Sequence, residues 1–179
     1  MQSQQTPAPP AVAILFLDFD GVLQTPAVED WQEMEHCALL EMLLGELPVL
    51  MLVVTSTHRE GRSLIDVQRL LPDAVARRVV GVTEVSPKGR ADGGRQAEIE
   101  AWLRDHPAVT CWVAVDDESH LYAARCPWLV LTHPWVGWDE QTSDAVRGLV
   151  SRVYARNPTM TGVDVRQVLP TPRTDAGHR

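Results

Sequence analysis

Three stretches of this sequence place oxygen-bearing side chains directly after apolar runs. Asp18-Phe-Asp20-Gly21 follows Val12 to Leu17, Thr55-Ser56 follows Val49 to Val54, and Asp116-Asp117 follows Cys111 to Val115. If the runs are buried strands of one sheet, these groups converge at one edge of it. The four carboxylates of Asp18, Asp20, Asp116 and Asp117 would then repel one another and raise their own pKa values unless a cation joins them. Carboxylate and carbonyl oxygens favour a hard ion, and magnesium is the usual partner where phosphate is also handled. Gly21 falls where the chain must leave the strand sharply and let a substrate approach its backbone.

Each piece has a blander reading on its own. Asp-x-Asp-Gly is common in calcium loops and turns, and an Asp-Asp pair after a strand is often a helix N-cap with its first turn, a role open to Asp117. Their joint occurrence, in order and each after an apolar run, points instead to a site.

The elements that must position them are legible in the hydrophobic pattern. Besides the three runs above, Val79 to Val82 and Trp128 to Leu131 are short apolar segments, which makes five strands buried on both faces. Between them lie stretches of helical spacing: Trp31 to Leu47 with Met34, Cys37, Ala38, Leu40, Leu43, Leu44 and Leu47; Leu64, Val67, Leu70 and Leu71 before Pro72; Ile99, Trp102 and Leu103 within Ala97 to Leu103; and Val146, Leu149, Val150 and Val153 within Asp144 to Tyr154. Strand then helix, repeated, gives a doubly wound Rossmann-like α/β fold with a five-stranded, mainly parallel sheet flanked by helices. Ligands in such sheets sit at the carboxyl ends of the strands, where the aspartates are.

Bulk properties set the class. The 179 residues, 45% hydrophobic and 22% charged, suit one soluble domain, placed at 11–156. Residues 1–10, rich in Gln and Pro, are expected to form a disordered tail, and 157–179 a partly disordered one. The net charge of −8, with Lys88 the single lysine and no dense basic run among the arginines, argues against a nucleic-acid-coating surface. Cys37, Cys111 and Cys126 form no Cys-x-x-Cys pair and read as buried thiols of a reducing compartment. The N-terminus has no basic residue and the apolar run after it is broken by Asp18 and Asp20, so it reads as neither signal peptide nor membrane span. A cytoplasmic protein without membrane association is expected, its oligomeric state open.

The ordered set of an apolar run with Asp18-x-Asp20-Gly21-Val-Leu, then Thr55 or Ser56, then Asp116-Asp117 resembles the haloacid-dehalogenase-like superfamily over about residues 12–154. More narrowly, Val79-Val-Gly-Val-Thr83, Arg95-Gln-Ala-Glu-Ile-Glu-Ala-Trp-Leu103 and Trp112-Val-Ala-Val-Asp-Asp117 look like the small domain of "Swiss Army knife" RNA-repair proteins. The resemblance implies a magnesium-dependent phosphohydrolase in which Asp18 attacks phosphorus to give an aspartyl-phosphate. Asp20 would protonate the leaving oxygen and then deprotonate water. Magnesium would be held by Asp18, Asp116 and the backbone carbonyl of Asp20, with Asp117 acting through a bound water or as an orienting group. Thr55, or Ser56 if the strand ends one residue later, would donate to a phosphoryl oxygen.

The family also supplies one cation near the helix before the fourth strand, and this sequence offers two: Arg95 at the helix start and Lys88 in the Gly-rich loop before it. Thr55-Ser-Thr-His-Arg59 resembles a segment that usually reads Ser-Ser-Trp-Arg, so Arg59 would contact substrate or tie down the loop, with His58 in place of the aromatic. His36, His106, His120 and His133 have no partner at metal-ligand spacing and read as surface or loop residues. Thr132-His-Pro-Trp-Val-Gly-Trp138 follows the fifth strand and could wall the site, with Trp135 and Trp138 as stacking surfaces.

Capped relatives insert a domain between these motifs, and the separations here leave room for none. An open site suits a macromolecular or bulky phosphate, such as a nucleotide or a nucleic-acid terminus, although a small phosphate ester also fits it. The alternatives are a non-catalytic module that binds a phosphorylated partner, and a phosphotransferase.

Overall fold

The computed structural model describes residues 12–26 and 36–156. In chain order the elements are β1 (Val12–Leu17), α1 (Cys37–Glu46), β2 (Leu50–Val54), α2 (Leu64–Gln68), α3 (Asp73–Ala76), β3 (Val79–Val82), α4 (Gly94–Asp105), β4 (Val109–Asp116), β5 (Leu129–Leu131) and α5 (Glu140–Arg156). Short 3-10 turns at Thr57–Arg59 and Ser119–Leu121 follow β2 and β4. The two terminal tails read from composition, and the part of the first helical stretch before His36, lie outside the described residues.

The strands form one sheet in the order β3-β2-β1-β4-β5, and every pairing is parallel. The chain runs outward from β1 through β2 to β3, then returns to the other side of β1 as β4 and β5. That reversal leaves a crevice at the carboxyl ends of β1 and β4, the place where open α/β sheets take their ligands.

Alternation along the strands divides the core into two layers, because successive side chains point to opposite faces. Ala13, Leu15 and Leu17, with Leu50, Leu52, Val54, Val113 and Val115, pack against Leu40, Leu43 and Leu44 of α1, Val67, Val75, and Val146 and Val150 of α5. Ile14, Phe16, Met51, Val53 and Ala114 face Ile99 of α4, Leu121 and Tyr122. Phe16 meets Trp102 and Trp112 edge-on, at ring separations of 5.5 and 5.9 Å. Burial pushes the Cys37 thiol up to about 12 and the Cys111 thiol up to about 11, so both stay protonated and behave as apolar groups. No described cysteine is paired.

The helical stretch that ends at Pro72 is shorter than its spacing predicts. It stops at Gln68 as α2, capped by Ser63 and Asp66 in a reciprocal box, and a separate helix, α3, opens after Pro72. Proline disfavours a helical residue before it and suits a helix start, so Leu70 and Leu71 serve the turn. Helix α4 begins earlier than its apolar positions suggest, at Gly94 behind the left-handed Gly93 (φ 73°), and this brings Arg95 into the first turn. No inserted domain stands over the crevice among the described residues, and no described helix is long and apolar enough to cross a membrane.

Candidate active site

Strand register sets the site. Thr83 N donates to Val54 O, Thr55 N to Leu17 O, Asp18 N to Val115 O and Thr132 N to Asp116 O, at 2.9–3.2 Å. Each residue that directly follows a strand, or ends one, is thereby tied to its neighbour. Thr83, Thr55, Asp18, Asp116 and Thr132 form a buried row of hydroxyls and carboxyls across all five strands.

At its centre, Asp18 is 3% exposed and Asp116 is fully buried. Asp18 Oδ1 accepts from Phe19 N at 2.8 Å, and the Ser56 hydroxyl donates to the same carboxylate. Asp116 Oδ1 accepts from Glu118 N at 2.9 Å and its Oδ2 from the Tyr122 hydroxyl at 3.0 Å. The one cation that reaches both among the described residues is Arg95: Nη2 lies 3.6 Å from Asp18 Oδ2 and Nε 3.6 Å from Asp116 Oδ2.

The electrostatics follow from burial. Loss of solvent raises the Asp18 carboxyl above its ordinary range, with Arg95 and the Phe19 amide pulling the other way. Burial and then the charge of Asp18 push Asp116 up to about 7, against the pull of Arg95. Asp117 is raised by the same two causes, and Tyr122 is raised by burial and by Asp116. Burial alone would lower Arg95, but the two carboxylates hold it above its usual value. Negative charge is thus in excess here, and one guanidinium does not balance it.

Ligand atoms of Asp18, Asp116, Asp117 and Glu118 lie within 4.8 Å of one another. An all-oxygen set of this kind, with Asp18, Asp116 and Asp117 all pushed up by burial and the last two also by the charge of Asp18, fits a hard divalent cation. Glu118 also pairs with Arg90. Its candidacy as a ligand is new here; the sequence signal would have been the third consecutive acid in Asp116-Asp117-Glu118.

Asp20 stands apart from that cluster. Its side chain is 60% exposed, and its Oδ1 lies 3.2 Å from His58 Nε2. The His58 ring lies 5.9 Å from that of Phe19, so it occupies the aromatic position as a flat ring as well as a polar partner.

Gly21 sits at φ 68°, and a Cβ there would lie 2.4 Å from Asp117 Cγ. Its carbonyl accepts from the Thr132 hydroxyl at 2.8 Å. What the bare Gly21 backbone admits is the Asp117 side chain.

Among the described residues, three buried donors of the site have no hydrogen-bond partner: Thr55 Oγ1, Thr83 Oγ1 and Arg95 Nη1. Ser56, by contrast, is engaged: its hydroxyl meets Asp18 and accepts from His58 N at 3.4 Å.

Other sequence candidates fall elsewhere. Lys88 is exposed in the loop before α4, and it is Arg95 that is brought to Asp18. The Arg59 guanidinium is buried and donates to the carbonyls of Thr55, Ser56 and Thr83 and to Glu98, which leaves little of it for a ligand. Of the two tryptophans read as stacking surfaces, Trp138 is fully buried and donates to Ser143 Oγ at 2.8 Å, while Trp135 is 65% exposed. His106 stacks on Trp102 at 3.6 Å. Sequence reasoning missed Tyr122 and Glu98, because no local pattern marks a residue whose partner is distant in the chain or around a turn.

No curated protein and no solved structure matches the chain. The family described as the HAD domain in Swiss Army Knife RNA repair proteins matches residues 14–142, more than half of the chain, from within β1 to the first turn of α5. That span holds every residue of the carboxylate and arginine cluster. The chain therefore belongs to the haloacid-dehalogenase-like superfamily, in the family of HAD domains found in Swiss Army Knife RNA repair proteins.

Proposed function

We propose that the protein is a magnesium-dependent phosphohydrolase that works through an aspartyl-phosphate on Asp18. The observation that carries this reading is buried Asp18 at the sheet's switch point, 3.6 Å from Arg95, with two nearby groups, the Thr55 hydroxyl and Arg95 Nη1, left without a partner among the described residues.

In the first step a carboxylate oxygen of Asp18 attacks phosphorus, the phosphorus–oxygen bond to the leaving group breaks, and Asp20 gives that oxygen a proton. In the second, Asp20 takes a proton from water as the water displaces Asp18, which returns both carboxyls to their starting states. Asp20 is solvent-facing, where a leaving oxygen and an attacking water can reach it, and His58 orients it at 3.2 Å. Thr55 and Arg95 donate to the phosphoryl oxygens, where charge develops. Asp18, Asp116 and the Asp20 carbonyl are the groups that would hold magnesium, with Asp117 through a bound water; the ion would add positive charge at the phosphoryl oxygens.

The substrate we favour is a nucleotide or polynucleotide phosphate. The absence of a covering domain among the described residues suits a bulky ester that itself excludes water, and the family's occurrence in RNA repair proteins supports the choice. A cytoplasmic location is in keeping with the unpaired cysteines.

Hydrolysis of an aryl phosphate with magnesium, with a chelator and with Asp18→Asn tests the mechanism. Turnover should vanish in the last two, and turnover that survives both would overturn it. Binding of phosphate without turnover in the wild type would indicate a phosphate-binding module instead. A panel of 3′- and 5′-phosphorylated oligonucleotides against small esters then tests the substrate class.

A further inference from the structure

Arg59 and Glu98 form a buried ion pair at 2.7 Å, with both side chains almost wholly out of solvent. Nothing in it touches Asp18 or Asp116 directly, yet it joins every segment around them on one side. Arg59 Nε donates to Thr83 O at 2.7 Å, Nη1 to Ser56 O at 2.9 Å and to Thr55 O, and Nη2 to Glu98 Oε2. The second oxygen of Glu98 accepts from Ser86 N at 2.9 Å. The pair thus links the segment after β2, the end of β3, the loop before α4, and α4 itself.

The two ends of this clamp bear on the site. Thr55 is held by its amide to Leu17 O at 2.9 Å and by its carbonyl to Arg59, so its hydroxyl is the polar group left over. Glu98 follows Arg95 by three positions on α4, which places both on one face of the helix, a turn apart. Fixing Glu98 fixes the rotation of α4 and with it the Arg95 guanidinium. Glu98 also cancels the charge of Arg59 locally, so that Arg95 is the cation left to the aspartates.

A buried ion pair is a poor device for stability, since its desolvation cost offsets the attraction and apolar replacements are often as stable. It is a good device for holding four segments in one register, because an unmet donor or acceptor in it is costly. We propose that Arg59 and Glu98 are positioning residues, a clamp that holds the Thr55 hydroxyl and the Arg95 guanidinium in place about Asp18 without contacting substrate. The inference rests on the phosphohydrolase reading and extends it to residues that lie outside the reacting atoms.

The test uses the full chain with Arg59→Lys, Glu98→Gln and the apolar double variant Arg59→Met with Glu98→Leu. Thermal denaturation, kcat and KM for para-nitrophenyl phosphate with magnesium, and amide hydrogen exchange over Thr55 to Arg59 and the start of α4 are measured. The expected result is a folded double variant whose melting temperature falls by about a few degrees, because the carbonyls of Thr55, Ser56 and Thr83 lose a buried donor, with faster exchange in those two segments alone and kcat lower by about 10- to 100-fold with KM little changed, as misplacement on the ångström scale costs. Wild-type kcat in a folded variant, or a loss of kcat matched by loss of folded protein, overturns the clamp. If the wild type itself fails to hydrolyse the ester, the phosphohydrolase reading falls, and unchanged exchange in the variants would then overturn the clamp on its own.

Discussion

Arg95 Nη2 stands 3.6 Å from Asp18 Oδ2, and both side chains are nearly excluded from solvent. The same guanidinium reaches Asp116, while Lys88 is exposed. Arg95→Met should therefore lower kcat for an aryl phosphate by about 100- to 1000-fold, the range for losing one donor aimed at developing charge. Lys88→Ala should leave it within a factor of about two, as surface changes away from a site do. Steady-state kinetics of the two variants decides between the cations, and a larger loss at Lys88 would reverse the assignment.

Magnesium binding should weaken in acid. Burial and the charge of Asp18 push Asp116 up to about 7, so at pH 6 most of the metal-free protein carries a proton that the ion must displace. Calorimetric titration should give an affinity roughly ten times weaker at pH 6 than at pH 8, with proton release at the lower pH. The linked stability has a definite sign. A folded-state value above the ordinary 3.8 means that the metal-free fold binds the extra proton, so this group's contribution is full below about 4 and is lost as pH rises to about 7. Added magnesium should flatten that decline, and Asp116→Asn should remove both effects.

Gly21→Ala should be costly for two separable reasons. The backbone stands at φ 68°, where a side chain costs about 1–2 kcal/mol, and the new methyl would meet Asp117 Cγ at 2.4 Å. Chemical denaturation of Gly21→Ala, Asp117→Ala and the double variant separates them. The double should be less destabilised than the sum of the singles, because removing the Asp117 carboxylate relieves the contact but not the backbone. Strict additivity would show that the close approach carries no energy.

Trp135 offers a check on substrate class. The segment that carries it is tied to the turn after β1 at both ends, by Thr132 Oγ1 to Gly21 O at 2.8 Å and by Trp138 N to Val22 O at 2.7 Å. Its indole is left in solvent. If the substrate is a nucleotide, Trp135→Ala should weaken oligonucleotide binding by about 1–3 kcal/mol, the worth of stacking one base, and leave KM for an aryl phosphate unchanged. Equal KM values for both substrates in wild type and variant would remove the tryptophan from the site.

The sheet was legible in the sequence because a strand buried on both faces is a contiguous apolar run. Val12 to Leu17 and Val79 to Val82 stand in the structure with those limits. Asp18, Thr55 and Asp116 were legible for the same reason: each directly follows or ends a strand, and parallel register brings strand ends together whatever the helices between them do.

Other assignments were not available to a reading of neighbours along the chain. Arg95 and Lys88 differ in sequence by a few positions of one Gly-rich stretch, and only the start of α4 behind Gly93 turns one of them inward. Arg59 read equally well as a ligand or a tether until its donors met three carbonyls and Glu98. Trp135 and Trp138 belong to one short motif, yet one is in solvent and the other in the core. Sequence alone placed Asp18, Thr55 and Asp116 at neighbouring strand ends, because alternation and strand length are local properties of a polymer, but it also expected Asp20 in the carboxylate cluster, where the folded chain has Glu118 instead. Which cation faces them, and which polar groups hold that cation in place, was decided by the tertiary structure, since a buried donor takes whatever acceptor packing brings to it.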